Sequence, residues 1–445
     1  MNPIAAPSSP GASARARRFL RAAAPAGGGA ALPRLRHSFA WTFAGNCVYA
    51  ASQWGLVVVL ARLATPDALG TFALALAVTA PVFLLFGLNL RAGQATDAAR
   101  GFAFGDYLGV RLAGMAAALA ATGALVLLEG DSAESAAVVM AVGLAKAVEG
   151  LSDVHYGAMQ AQERMRPIAI SLMARGVLSV AAFAAVLEVG GTLLSAVAAM
   201  AAAWTAVLLA YDVPTTAALL RATGERRRPR LGRDATRVIA TCLPLGLVMM
   251  LVSLRLNVPR YFVGHWSGAA ELGVFAALAS LLVAGSLIVT ALGQAATPRL
   301  AALFHAGSLA AFRGLVWRLM LVALGLGVAG ISVAAVAGGP VLRLLFGAPY
   351  AGRSDLLVLL MAAGLAAYAS SVLGFALTAA RTFTAQLPVF TATTLACGAG
   401  CLWLVPRLGL SGAALAWGAS MLLEVAAVAA LLARALARRA ERGSV

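Results

Sequence analysis

The chain has 445 residues, of which 61% are hydrophobic and 11% charged, with a formal net charge of +17 from 34 Lys and Arg against 17 Asp and Glu. Soluble domains carry roughly 25% charged residues, so a soluble fold of this length is excluded: it has too little polar surface to cover its apolar content. The charge alone would suit a nucleic-acid binder, a reading that depends on where the basic residues fall.

Residues 1–38 are rich in Ala, Gly, Pro and Arg. Arg17-Arg18-Phe19-Leu20 faintly resembles a twin-arginine export signal, but no apolar stretch of the right length and no cleavage site follow, so a disordered cytoplasmic tail is expected. Apolar runs long enough to cross ~30 Å of hydrocarbon as helices then fall at 39–60, 70–90, 107–128, 134–156, 167–187, 192–211, 238–262, 272–293, 314–336, 356–380, 386–405 and 411–432. No alternating barrel pattern is present, and a helix satisfies its own backbone in lipid. The expected fold class is all-α: a polytopic membrane protein of about twelve transmembrane helices in two parallel six-helix lobes around a central cavity. The lobes are 39–211 and 238–432, separated by a basic cytoplasmic linker, 212–237, and followed by a cytoplasmic tail, 433–445. The connection at 338–355 is the longest on the opposite side, and its apolar Val341-Leu342-Arg343-Leu344-Leu345-Phe346 is expected to dip back into the interface.

The basic residues are sorted by side. The N-terminal tail and every second connection hold 25 of them, including Arg91, Arg100, Arg164, Arg166, Arg299, Arg381 and the seven Arg of the linker, whereas the opposite set holds only Arg62, Arg343, Arg353 and Arg407. The positive-inside rule then places both termini in the cytoplasm. Anionic membrane lipids suffice as partners for the basic loops, and no nucleic-acid partner is expected.

Six spans on either side of the linker predict an internal repeat. Leu69-Gly70-Thr71-Phe72-Ala73 after the first span is echoed by Leu272-Gly273-Val274-Phe275-Ala276 after the seventh. A weaker echo links Val110-Arg111-Leu112 with Trp317-Arg318-Leu319. Chance also produces such matches in an Ala- and Leu-rich chain. Because six is even, the halves would run in parallel about an axis along the membrane normal, as in transporters built of two lobes.

Enzymatic readings find no support in the residues. The only lysine, Lys146, has no phosphate-cradling glycine loop before it. His37, His155, His265 and His305 are scattered, and no catalytic arrangement, metal site or cofactor site is expected. Cys47, Cys242, Cys397 and Cys401 all fall in spans, and Cys397 and Cys401, which share a helix face, suit helix packing better than a disulfide or a metal.

The unusual residues are ionisable groups inside spans, each costing roughly 2.5–3.5 kcal/mol at the membrane centre. Lys146, Glu149 and Asp153 are spaced i, i+3, i+7 and share one helix face beside Tyr156. Asn46, Tyr49 and Gln53 repeat that spacing on the first span. Arg175 and Arg111 lie in the fifth and third spans, and Arg255, Asn257 and Arg260 in the seventh. A purely structural account has Lys146 and Glu149 neutralise each other and Arg111 and Arg260 snorkel to headgroups. It suits the deeper Arg175 and Arg255 poorly. Five cations against Glu149 and Asp153 leave a positive cavity that favours an anionic substrate.

The chain resembles the bacterial polysaccharide-biosynthesis flippases of the multidrug, oligosaccharidyl-lipid and polysaccharide exporter superfamily. The resemblance rests on Leu60-Ala61-Arg62-Leu63-Ala64-Thr65-Pro66-Asp67-Ala68-Leu69-Gly70-Thr71-Phe72-Ala73, on Asn89-Leu90-Arg91 with Ala95-Thr96-Asp97, and on Leu344-Leu345-Phe346-Gly347-Ala348-Pro349-Tyr350, motifs that mark a fold more than a substrate. It implies a non-enzymatic flippase of the bacterial inner membrane that moves an undecaprenyl-diphosphate-linked oligosaccharide by alternating access, with a glycan polymerase complex as a candidate partner. Lys146, Arg175 and Arg255, with Arg111, Arg260, Asn46 and Gln53, are then expected to bind the headgroup, and Glu149 and Asp153 to serve ion coupling. A cation-coupled multidrug exporter of the same superfamily is the alternative. A membrane-embedded glycan polymerase or ligase is disfavoured by the short external connections.

Overall fold

The computed structural model describes residues 31–97, 101–129, 132–225, 228–380 and 386–441. Residues 1–30 of the expected tail, with Arg15, Arg17, Arg18 and Arg21, lie outside these ranges, as do Arg100, Arg226, Arg227, Arg381 and Arg442. The described chain is helical, with no strand: α1 (Ala31–Leu63), α2 (Pro66–Gly87), α3 (Leu90–Thr96), α4 (Phe104–Glu129), α5 (Ala133–Gln160), α6 (Met165–Glu188), α7 (Leu193–Val207), a π-turn (Leu208–Asp212), α8 (Val213–Thr223), α9 (Arg233–Ser280), α10 (Leu282–His305), α11 (Leu309–Leu345), a 3-10 turn (Ala348–Tyr350), α12 (Ser354–Ala379) and α13 (Gln386–Glu441).

Among the described residues, ten helical runs are long and apolar enough to cross a membrane, and the chain is a multi-pass membrane protein. The run Arg233–Thr297 has 65 residues and Gln386–Glu441 has 56. At 1.5 Å per residue they would reach roughly 98 and 84 Å, far beyond ~30 Å of hydrocarbon, so each must cross twice. Each is broken at a glycine with positive φ, Gly268 (φ 83°) and Gly409 (φ 56°), a conformation that a side chain disfavours. Both breaks fall between the spans read from the sequence, and ten runs thereby hold the twelve expected crossings.

Hydropathy misplaces the helix ends, however. The first helix begins at Ala31, inside the expected tail, and the last continues to Glu441. The expected linker at 212–237 is helical through Thr223. In each case the backbone hydrogen bonds continue past the point where the apolar run stops.

The chain divides into two compact units. The first takes the chain through Gln53 together with Thr79–Met250, and the second takes Trp54–Val78 with Leu251 onward. In the first, Tyr156, Met159, Ile168, Leu172 and Leu219 form one buried cluster, and Leu88, Leu90, Phe104, Val154 and Val238 belong to another. In the second, α10 to α13 bury Val289, Leu300, Phe312, Val372, Ala376, Val428 and Leu432. Leu127, Leu128 and Val336 are more than 80% exposed, which suits contact with hydrocarbon rather than water.

The stronger repeat echo meets itself within the second unit. A Cβ on Gly70 would collide with the carbonyl of Ala269, and a Cβ on Gly273 with the carbonyl of Pro66. Each glycine thus packs on the residue four before the other, a reciprocal contact that only a missing side chain permits. The flanking Leu69 and Leu272 are buried alike, as are Phe72 and Phe275. The weaker echo has no such equivalence: Arg111 is buried and Arg318 exposed.

The end of α11 and the turn that follows are packed within the second unit. Ala337 departs from helical geometry, and the residues beyond it return to helix up to Leu345. Leu342, Phe346 and Tyr350 are buried, Leu344 is exposed, and the Arg62 guanidinium donates to the carbonyls of Leu344 and Leu345.

Candidate functional site

In the first unit, Asn46, Tyr49, Asn89, Arg91, Arg111, Lys146, Glu149, Asp153, Tyr156 and Arg175 line a cavity of about 420 Å³. Lys146, Glu149 and Asp153 face it together from α5, as their spacing predicts. Glu149 accepts from Tyr49 Oη at 2.6 Å, Lys146 Nζ at 2.8 Å and Arg175 Nη2 at 3.3 Å. Asp153 pairs with Arg111 at 3.1 Å and with Arg91 at 3.6 Å. Each carboxylate is therefore held by two cations, and four cations against two carboxylates leave two positive charges in excess. Pairing offsets the desolvation of the individual groups, and the excess attracts anions.

Arg175 is 2% exposed, and its guanidinium carbon lies 4.7 Å from the ring centroid of Tyr49, 5.2 Å from Trp204 and 5.8 Å from Tyr156. Three aromatic faces thus hold the cation away from water. Its Nε and Nη1 are buried with no hydrogen-bond partner among the described residues. They are donors left over after Glu149 has been bound. Arg111 is also turned inward, at 4% exposure, rather than snorkelling.

Arg91 reaches this cavity because the chain changes direction after α2. Leu88 and Asn89 both adopt left-handed backbone, at φ 54° and 47°, an uncommon state for leucine. The short α3 that follows brings Arg91 over Tyr156, where Gln160 accepts from its Nε at 2.8 Å.

Arg255, Asn257 and Arg260 line a separate cavity of about 510 Å³ in the second unit, with Phe390, Trp417, Ser370 and Glu424. Arg255 forms an ion pair with Glu424, which is 2% exposed and also accepts from the Ser370 hydroxyl. The five-to-two tally read from the sequence is therefore corrected: Arg255 has a buried carboxylate partner on α13. Arg260 Nη1 donates to Asn257 Oδ1 at 2.8 Å. Asn46 is on the first cavity's wall, whereas Gln53 is not among its lining residues and its Nε2 is buried without a partner among the described residues.

Sequence reasoning missed Glu424, Arg91 and Asp212. Glu424 is a lone carboxylate in an apolar run, the same signal that singles out Glu149 and Asp153. By apolar pattern Arg91 falls in a connection and Asp212 in the linker. Cys397 and Cys401 are fully buried, and all four cysteines are free. Among the described residues no group of three His, Cys, Asp or Glu is placed to hold a metal ion.

The fold is shared with known membrane proteins. An inward-closed lipid II flippase, MurJ, superposes with a TM-score of 0.71 at 10% identity over 89% of both chains. An inward-facing multidrug resistance transporter of the MATE family and MOP superfamily does so at 0.68, with 11% identity over 88% of this chain and 96% of the other. In sequence, the capsular polysaccharide biosynthesis protein CapF of Staphylococcus aureus is 22% identical over 382 residues, covering 85% of this chain and 94% of that protein. A family model described as polysaccharide biosynthesis protein matches residues 35–304, more than half of the sequence. On that match, the chain belongs to the polysaccharide biosynthesis protein family.

Proposed function

We propose that the protein is a flippase of the bacterial inner membrane that moves an undecaprenyl-diphosphate-linked oligosaccharide from the cytoplasmic to the periplasmic leaflet. The observation that carries this reading is the cavity built around Arg175: two positive charges in excess, inside a helical bundle that spans a bilayer. A diphosphate headgroup is anionic and requires a polar path through a medium that makes isolated charges costly. The unused Nε and Nη1 of Arg175 supply donors for its phosphate oxygens, and Lys146, Arg91 and Arg111 supply neutralising charge. At about 420 Å³ the cavity has the size of a small-molecule site, roughly 300–1,000 Å³, and would hold the diphosphate and its neighbouring sugar rather than a whole oligosaccharide.

Family membership, the capsular polysaccharide role given for CapF, and the lipid II flippase among the similar folds support the same reading. In this proposal the residue 39–211 and 238–432 lobes alternate access, both termini are cytoplasmic, and Arg255, Arg260 and Asn257 form a second polar station. Asn46 and Gln53 contribute from α1, Glu149 and Asp153 hold the cations in place, and a glycan polymerase complex receives the product. The test is the sidedness of lipid-linked oligosaccharide in a strain lacking the protein and any redundant flippase. Accumulation of the complete unit on the cytoplasmic leaflet is expected, and normal arrival on the periplasmic side refutes the assignment.

A cation-coupled drug exporter is the second reading, favoured by the MATE-like fold and by buried Glu424. Arg255 neutralises that carboxylate, however. A drug-susceptibility panel unchanged by deletion would remove this reading.

A further inference from the structure

Glu149, Asp153 and Glu424 each have a cation partner, but the buried carboxylate of Asp212 forms no ion pair among the described residues. It is the last residue of the π-turn Leu208–Asp212, between α7 and α8, and is 0% exposed. A π-turn forces an extra residue into the helical ladder and recurs at functional sites. The groups facing the carboxyl are the hydroxyls of Ser152 on α5 and Ser171 on α6, the guanidinium of Arg175 on α6, Tyr156 on α5 and the neighbouring Tyr211, which itself faces Arg166.

Ser171 Oγ is engaged at 2.7 Å with the Tyr156 hydroxyl. Although Ser152 and Ser171 lie beside the carboxyl, neither of its oxygens accepts a well-formed hydrogen bond among the described residues, and Ser152 Oγ and Thr216 Oγ1 likewise make none. Hydrogen bonds thus provide little for an ionised carboxylate there, and what compensates it is the charge of Arg175.

Position adds a second argument. Arg175 and Tyr156, on one side of Asp212, line the charged cavity. Thr216, one turn after Asp212 and on the same face, lines another cavity of the same unit, about 960 Å³, together with His155 and Arg228. Asp212 lines neither cavity, but it interacts electrostatically with Arg175 and Tyr156 of the first and lies one helical turn from Thr216 of the second.

We propose that Asp212 is a proton-exchanging site whose occupancy is set by what Arg175 holds. When an anionic headgroup takes the free Nε and Nη1 of Arg175, the carboxyl loses its nearest cation and binds one proton from cavity water. When the headgroup leaves, Arg175 again compensates the carboxylate, and the proton returns to water. Only an O–H bond forms and breaks. The link to Arg175 rests on the headgroup reading given above, whereas the proton site rests on Asp212 and its surroundings.

Infrared difference spectra of the full chain in lipid vesicles, wild type against Asp212→Asn, test it. The expected result is a protonated-carboxyl band, amounting to one group per chain, that is lost in Asp212→Asn. It should weaken as the vesicle pH is raised across the range over which the protein stays folded, and grow when geranyl diphosphate is added as the probe. Asp212→Glu, which keeps the carboxyl and displaces the band, serves if the Asn variant does not fold. A carboxyl that stays ionised, or stays protonated, across that range overturns the proposal. A band that titrates but ignores the diphosphate supports the proton site and overturns the headgroup assignment at Arg175, so the two readings fail separately.

Discussion

Replacing Glu424 by Gln isolates the effect of one buried charge. The Glu424 side chain is 3% exposed and that of Arg255 12%, and they face each other inside the second unit with the Arg255 guanidinium 5.3 Å from the Phe390 ring. Glutamine keeps the shape and still accepts from Ser370, so neither a void nor a lost hydroxyl bond confuses the result. What remains is a guanidinium without its carboxylate. Breaking one side of a buried pair costs about 3–5 kcal/mol; because Arg255 opens onto a cavity that can hydrate it in part, the lower end, about 3 kcal/mol, is expected. Removing both charges in Arg255→Met with Glu424→Leu should restore stability to within about 1 kcal/mol of wild type. Equilibrium unfolding in mixed micelles, followed by tryptophan fluorescence, measures all three proteins. A loss below about 1 kcal/mol for Glu424→Gln, or a double variant no more stable than the single, would refute the ion-pair account.

Arg175→Lys keeps the positive charge but loses the planar fork and stacking on Tyr49, Trp204 and Tyr156. Glycan export is expected to fall by about tenfold or more at unchanged protein level, and wild-type export would refute Arg175 as a headgroup contact. Gly70→Leu and Gly273→Leu should each destabilise the protein by about 1–3 kcal/mol in the same unfolding assay. The double variant should cost less than the two losses added, since both press on one contact, and strict additivity would argue against reciprocity. For topology, Asp355→Cys and Arg438→Cys, both at exposed positions, are expected to react from opposite faces with a membrane-impermeant maleimide when Cys47→Ser removes the least buried native thiol. Labelling of both from the outside would refute cytoplasmic termini.

Span positions were legible because an apolar run reports directly where hydrocarbon surrounds the chain. It does not report where the helix ends, because backbone hydrogen bonds continue through polar residues, as they do through Thr223 within the expected linker. The face shared by Lys146, Glu149 and Asp153 was legible because helical geometry fixes it locally. The partnership of Arg255 with Glu424 was not, since it joins two segments far apart in sequence, one on α9 and one on α13. Arg91 was hidden by the left-handed turn at Leu88 and Asn89, which nothing in the apolar pattern signals.

The glycine contact between the repeat motifs has a consequence for the chain's origin. A reciprocal contact, in which each motif rests on the other's preceding turn, is the form taken by a two-fold interface between identical subunits. In an ancestral six-helix protein that paired with itself in this way, one glycine codon would have supplied both halves of the contact. Had such a protein been duplicated and fused, two codons would each have to remain glycine, while neighbouring positions could diverge independently. Arg111 and Arg318, which only the weaker echo pairs, differ in burial. Selection on that contact would then act on two codons at once, whereas the charged residues of each cavity could change one at a time.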